Sequence, residues 1–225
     1  MPMDLDGLSP AHLTKREIAE QLIRNAIETG LYKPGQVISQ RKIGEDLGLS
    51  VTPIREAILV LSSNGIVERH SHHSIKVTEM DAARLHQIFH VRQLLEEEAI
   101  GLAAAHADAA LIAKLRALNA QLEVMVAHPQ PGLVNDLDRA FHTAIFGASQ
   151  NEALVWAIDR VKSSFPMYAL WREPGRLGVS VREHKGLIAA LEAGDRAGAV
   201  AAQQAHLRGG LEATIAFISR FGADA

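Results

Sequence analysis

The 225 residues contain no cysteine, which excludes disulfides and thiolate-bound metals and suits a reducing cytoplasm. Aromatic residues are only 4% of the chain, so helix-forming Ala and Leu carry most of the apolar content. No apolar run approaches the roughly 20 residues of a membrane span. Met1 to Ala11 is polar and acidic, without the apolar core of a signal peptide. Charge of one sign is missing as well. Up to Thr78 there are nine Lys+Arg against nine Asp+Glu, and the net charge of the whole chain is −3. Bulk positive charge is therefore excluded as a means of holding nucleic acid, and any such binding must use a few placed cations.

What is present is helical periodicity. Residues 13–30 carry Ile18, Leu22, Ile23, Ala26 and Ile27 on one stripe, with Thr14 and Glu17 spaced as a capping box. A second helix is predicted over 39–47, stopped by Gly48. A third begins at Ser50 or Thr52 and tolerates Pro53 in its first turn. Its buried face is Ile54, Ala57, Ile58 and Leu61, and Asn64-Gly65 ends it. Two short strands, 66–69 and 75–78, follow around a polar tip. This order matches a winged helix-turn-helix, in which the third helix enters a DNA major groove. A plain three-helix fragment fits the same periodicity equally well.

The stretch ISQRKIGEDLGLSVTPIREAILVLSSNGIVE, entered through LYKPGQVIS, resembles the winged helix-turn-helix of GntR-family bacterial transcription regulators. The resemblance covers residues 14–78 and implies binding to a double-stranded operator. The positions that match the family's DNA contacts are Arg41, Ser50, Thr52 and Arg55. Val51 stands where many relatives have Arg. The wing tip reads Arg69-His70-Ser71-His72-His73 where relatives are glycine-rich, and histidine there can donate to phosphate.

From TEMDAARL onward no strand pattern appears. Thr78 with Asp81 reads as a second capping box. Helices are predicted over 80–106, 108–127, 133–147, 151–170, 178–193 and 195–220, and Asn151 reads as an N-cap. Helices of that length on short loops pack as an antiparallel bundle. The fold class expected is therefore mainly α: a winged helix-turn-helix over 1–78 and an all-α antiparallel bundle over 79–225.

Within the bundle, Asp138 and His142 lie four apart on one helix face, and His184 and His206 stand on two later helices. One carboxylate and three imidazoles can hold a divalent transition metal, although each taken singly is as readily a packed or surface residue. His86 and His90 are also four apart, but Leu85, Ile88, Phe89 and Leu95 take the inward side and turn them out. Trp156, Phe165, Tyr168 and Trp171 concentrate the large aromatics, with core packing their expected fate. Glu96-Glu97-Glu98 reads as helix surface with room for one member to turn inward.

DRAFHTAIFGASQN, REHKGLIAALEAGD and AQQAHL are similar to the FCD effector-binding domain of the FadR branch of the family. That similarity spans residues 80–220 and implies that Asp138, His142, His184 and His206 bind a metal, zinc first, with nickel, manganese or iron as alternatives. It further implies a small organic acid whose carboxylate completes the coordination. Arg92 matches a pocket position and could meet a second acidic group, or instead pair with Glu96 one turn on. The function expected is a ligand-responsive repressor, dimeric on a near-palindromic operator, with no membrane attachment. A regulator with a purely structural metal and a metal-dependent enzyme acting on a small acid are the alternatives.

Overall fold

The computed structural model describes residues 14–28, 30–63, 65–79, 81–163, 170–171 and 173–222. It forms two compact units, Met1–Glu79 and Met80–Ala225.

The first unit contains α1 (Lys15–Glu28), β1 (Val37–Ser39), α2 (Gln40–Leu47), α3 (Val51–Ser63), β2 (Val67–Ser71) and β3 (Ser74–Val77). Thr14 and Glu17 close the expected capping box: the Glu17 amide donates to Thr14 Oγ1 at 3.2 Å, and the Thr14 amide to Glu17 Oε2 at 2.8 Å. Ala19, Ile23, Ala26 and Ile27 of α1 pack against α3 through Ile54, Ala57, Ile58 and Leu61, all buried. Ser39 is the cap of α2 and not its first residue, since its Oγ accepts the Lys42 amide at 3.1 Å. Gly48 ends α2 at φ +66°, a conformation that favours glycine. Gly44 is a second requirement of this turn: a Cβ there would stand 2.7 Å from the Leu49 carbonyl oxygen.

The wing is a three-stranded antiparallel sheet in the order β1-β3-β2. β1 pairs Val37, Ile38 and Ser39 with Lys76, Ile75 and Ser74. Three residues with only Ile38 buried give no alternation long enough to read in sequence. Gln40 also ties the wing to α2, its amide donating to the His73 carbonyl at 2.8 Å and its Nε2 to the His72 carbonyl at 3.3 Å.

The described elements of the second unit are helices: α4 (Ala82–His106), α5 (Ala109–Val124), α6 (Pro131–Gly147), α7 (Glu152–Lys162), α8 (Arg176–Glu192) and α9 (Arg196–Gly222). Asp81, not Thr78, caps α4, because its Oδ1 accepts the Arg84 amide at 2.7 Å. Asn151 caps α7 as expected, accepting the Leu154 amide at 3.1 Å. α6 begins two residues earlier than expected because Pro131 fits its first turn. No described helix is long and apolar enough to cross a membrane. Phe165 and Tyr168 lie outside the described residues. Trp156 is 67% exposed, against the core placement expected for it, while Trp171 is buried.

α4 packs along α9, α9 along α8, and α5 against α6 and α8. Their apolar residues form two clusters, one around Phe141, Ile145, Leu115 and Leu187, the other around Leu85, Phe89, Leu137 and Val181. Between them each of four helices inserts buried polar side chains: Arg92 and Glu96 from α4, Asp138 and His142 from α6, Ser180 and His184 from α8, Gln203 and His206 from α9. A polar layer inside an apolar bundle is costly unless its members are paired or hold something between them.

Candidate metal centre

The four candidate ligands named from sequence meet in this layer. One ligand atom each from Asp138, His142, His184 and His206 lies within 4.8 Å of all the others, and all four residues are buried. Ligand atoms around one ion with bonds of about 2.1 Å stand about 3.4 Å apart in a tetrahedron and up to about 4.2 Å apart across an octahedron, so the four atoms must draw in by about 0.6 to 1.4 Å to close a shell. Asp138 Oδ1 sits 3.7 Å from His142 Nε2 and 3.6 Å from His184 Nε2. It is buried and has no hydrogen-bond partner among the described residues. His142 Nε2 and His206 Nε2 face each other at 3.2 Å, which requires a proton or a cation between two lone pairs.

Residues beyond the four orient them. His184 Nδ1 donates to Asn119 Oδ1 at 3.1 Å, and Asn119 Nδ2 donates to the Val181 carbonyl, which fixes the amide and leaves His184 Nε2 aimed at Asp138. His206 Nδ1 donates to Glu183 Oε2 at 2.8 Å. Glu183 in turn accepts from Arg176 at 3.1 and 2.7 Å, a two-bond clasp. The clasp lies against Gly209, where a Cβ would stand 3.1 Å from both Arg176 Nη1 and Glu183 Oε1. His184 also stacks on Phe141 with ring centres 4.0 Å apart. Carboxylates and amides behind metal-bound histidines set the tautomer that presents a bare nitrogen to the ion. Sequence reasoning missed Asn119, Glu183 and Arg176. The available signal was a lone Asn within the apolar period of α5 and a Glu beside His184.

The electrostatics suit a cation. Burial pushes the His142 and His184 imidazoles well below their usual range, and neighbouring Lys162 and His206 add to the effect, so both rings are neutral. Burial raises the Asp138 carboxyl, against nearby cationic groups that work the other way. Burial would also raise Glu183, but its bonds to His206 and Arg176 outweigh that and hold it at about 2. A divalent cation restores the charge of Asp138 and uses neutral imidazoles as they stand, so the residues fit the metal.

The depressed histidines make the metal-free protein acid-sensitive. Below their ordinary value of 6.5 the unfolded chain takes up two protons there that the folded chain refuses. Asp138, with its folded value raised, opposes this by at most one proton. The melting temperature of chelated protein is therefore expected to fall from pH 7.5 to pH 5.5, and an unchanged or higher value contradicts the reading. Glu183→Gln is expected to weaken metal binding about 10–100-fold without abolishing it, as measured by competition with a chromogenic chelator.

Arg92 and Glu96 form a buried ion pair at 2.8 Å, and Gln203 Nε2 donates to the other Glu96 oxygen at 2.7 Å. Burial opposes the Glu96 charge, but Arg92 and Lys162 outweigh it and keep the carboxyl below its ordinary value. Of the two readings of Arg92, the structure contains the pair with Glu96. His86 and His90 are exposed on α4, away from the layer.

In the first unit Arg41, Ser50, Thr52 and Arg55 are all exposed. Arg41 lies 3.7 Å from Glu45 across a solvated helix turn. Val51, at 40% exposure, occupies the open first turn of α3 beside Thr52. The wing tip presents Arg69, His70, His72 and His73 to solvent.

Residues 14–77 match the model of bacterial regulatory proteins of the gntR family, and residues 87–209 match the FCD domain. The chain belongs to the GntR family. This GntR-family regulator is 26% identical over 191 residues to the HTH-type transcriptional regulator McbR of Escherichia coli, covering 83% of this chain and 86% of McbR. It is 28% identical over 205 residues to the HTH-type transcriptional regulator LutR of Bacillus subtilis, covering 80% and 92% of the two chains. It is 30% identical over 168 residues to the Glc operon transcriptional activator of E. coli, covering 64% of each. The solved structure of E. coli McbR/YncC superposes with a TM-score of 0.76 at 23% identity, over 93% of this chain and 99% of that one, which shows the shared fold. These relatives are transcriptional regulators, and the chain is one too, not an enzyme.

Proposed function

We propose that this GntR-family regulator is a ligand-responsive repressor of the FadR branch. Two copies bind a near-palindromic operator, and a small organic acid binds beside a divalent metal held by Asp138, His142, His184 and His206. The observation that carries the reading is the convergence of one buried carboxylate and three buried imidazoles in the helical unit of a GntR-family chain. Zinc is the first candidate, because nitrogen and oxygen donors in a small preformed site suit it, with nickel, manganese and iron next. When bound, the metal supplies a Lewis-acidic position for a carboxylate.

The protein residues do the rest. Asn119 and Glu183 hold two imidazoles in their binding tautomer, and Phe141 keeps water from one ring face. Arg92, oriented by its partner Glu96, contacts the bound acid. Arg41, Ser50, Thr52 and Arg55 contact operator DNA. An acid can change operator affinity only by the difference in its binding to the two arrangements of the dimer.

Titration of a small-acid panel into metal-loaded and chelated protein, with operator release followed by fluorescence anisotropy, tests this. Acid-dependent release is expected from the loaded protein only. Equal acid affinity without metal would make the metal structural. Arg55→Ala is expected to weaken operator binding and lower the salt slope by about 0.9 per lost phosphate contact, two per dimer, with the melting temperature unchanged. An unchanged slope removes Arg55 from the phosphate contacts.

A further inference from the structure

A further cation, on α7, stands beside the polar layer and is absorbed by none of the roles above. Lys162, in the last turn of α7, is partly buried. Its Nζ lies 5.4 Å from the centre of the Phe146 ring, and that ring stacks beside His142 with centres 5.9 Å apart. Among the described residues it forms no hydrogen bond and no ion pair within 4 Å. The Phe146 ring it shares with His142 sets the ammonium near the centre, and its charge bears on Glu96, Asp138, His142 and His184. A second observation points to a ligand in the same layer. Gln203 Oε1, fully buried and three residues before His206, accepts no hydrogen bond among the described residues, while its Nε2 is committed to Glu96.

Among the described residues, the charges around this centre can be counted helix by helix. On α4, Arg92 is matched by Glu96. On α8, Arg176 is matched by Glu183. On α7, Asp159 is exposed and screened by solvent. Asp138 cancels one of the two charges of a divalent ion, and the imidazoles are neutral. One positive charge remains on the metal and one on Lys162. Two single negative charges balance them. A phosphorylated acid, at close to −2 for the phosphate alone, exceeds the balance.

We infer that Lys162 is an effector-binding residue and that the effector is a small dicarboxylate, one carboxylate on the metal and the other on the Lys162 ammonium. This rests on the reading that the metal accepts a carboxylate. Burial and then Arg92 work against the charge of Lys162, Glu96, Asp138 and Asp159 support it in part, and a carboxylate arriving beside it adds to that support. Arg92, already matched by Glu96, is the less available partner for the second acidic group. The Gln203 acceptor is left for a ligand hydroxyl or a water.

The test is calorimetry on zinc-loaded full-length protein with malonate, succinate and glutarate against acetate and propionate. At least one diacid is expected to bind ten-fold or more tighter than the monoacids. Lys162→Met is expected to bring that diacid to within about three-fold of the monoacids and leave monoacid affinity unchanged, while Lys162→Arg keeps the preference. Two results overturn the inference with the metal reading intact: wild-type protein that does not discriminate, or Lys162→Met that weakens both classes equally, as a structural role would. Should Lys162→Met fail to fold, Lys162→Gln carries the same comparison, and a diacid preference that it keeps overturns the role of Lys162. A diacid preference that persists after chelation and vanishes in Lys162→Met supports Lys162 and overturns the metal reading. No acid binding at all overturns both.

Discussion

His184→Ala is expected to abolish the stabilisation that metal confers on the sensor unit. A ligand that binds only the folded state adds about 4 kcal/mol at a thousand-fold excess over its Kd. For a unit of this size that corresponds to about 8–16 °C in melting temperature. His184 is fully buried, faces Asp138 at 3.6 Å and is held in one tautomer by Asn119, so no neighbouring side chain replaces it. The alanine also removes the ring stacked on Phe141 and lowers the melting temperature of the metal-free variant. The decisive quantity is therefore the difference between loaded and chelated melts of each protein. A variant that keeps the wild-type difference removes His184 from the ligand set.

Arg92→Ala is expected to cost about 3–5 kcal/mol of stability, because it removes the directly paired cation from a fully buried Glu96 and leaves only the charge of Lys162 acting on it. The hydrogen bond from Gln203 remains but cannot neutralise the charge. The double variant Arg92→Ala with Glu96→Gln removes the stranded charge and is expected to recover a large part of the loss, read by chemical denaturation of all three proteins. A loss below about 1 kcal/mol for the single variant contradicts a tightly coupled pair. Loss of effector response in Arg92→Ala is to be judged only beside that double variant, since a destabilised bundle loses its pocket as well.

The elements that could be read from sequence are those with a strong local signal. The stripe of α1, the glycine stop of α2 and the Pro-initiated α3 each rest on contacts within a few residues. Asp138 and His142 share a helix face by spacing alone; joining them to His184 and His206 in one bundle-core site was an open reading of the residues, and the resemblance to FCD domains singled it out. What supports those rings was illegible for a physical reason. Asn119 reaches His184 from another helix, as Glu183 reaches His206, and no periodicity encodes a contact between side chains far apart in the chain. β1 escaped notice because a strand of three residues is defined by its partner β3 and not by its own pattern. Thr78 was misread as a cap because Thr and Asp are both good caps, and which one serves depends on the path of the incoming chain. The pairing of Arg92 with Glu96 was legible at spacing i, i+4, whereas the burial of both partners was not, because it is set by the helices packed around them.

The account stands on one divalent ion at the centre of the helical unit. Elemental analysis of protein exposed to zinc and dialysed free of excess tests it most directly, with the Asp138→Ala, His142→Ala double variant alongside. One equivalent per chain is expected for the wild type, removed by a strong chelator and absent from the folded double variant. Less than a tenth of an equivalent in the wild type, or a full equivalent retained by the double variant, contradicts it.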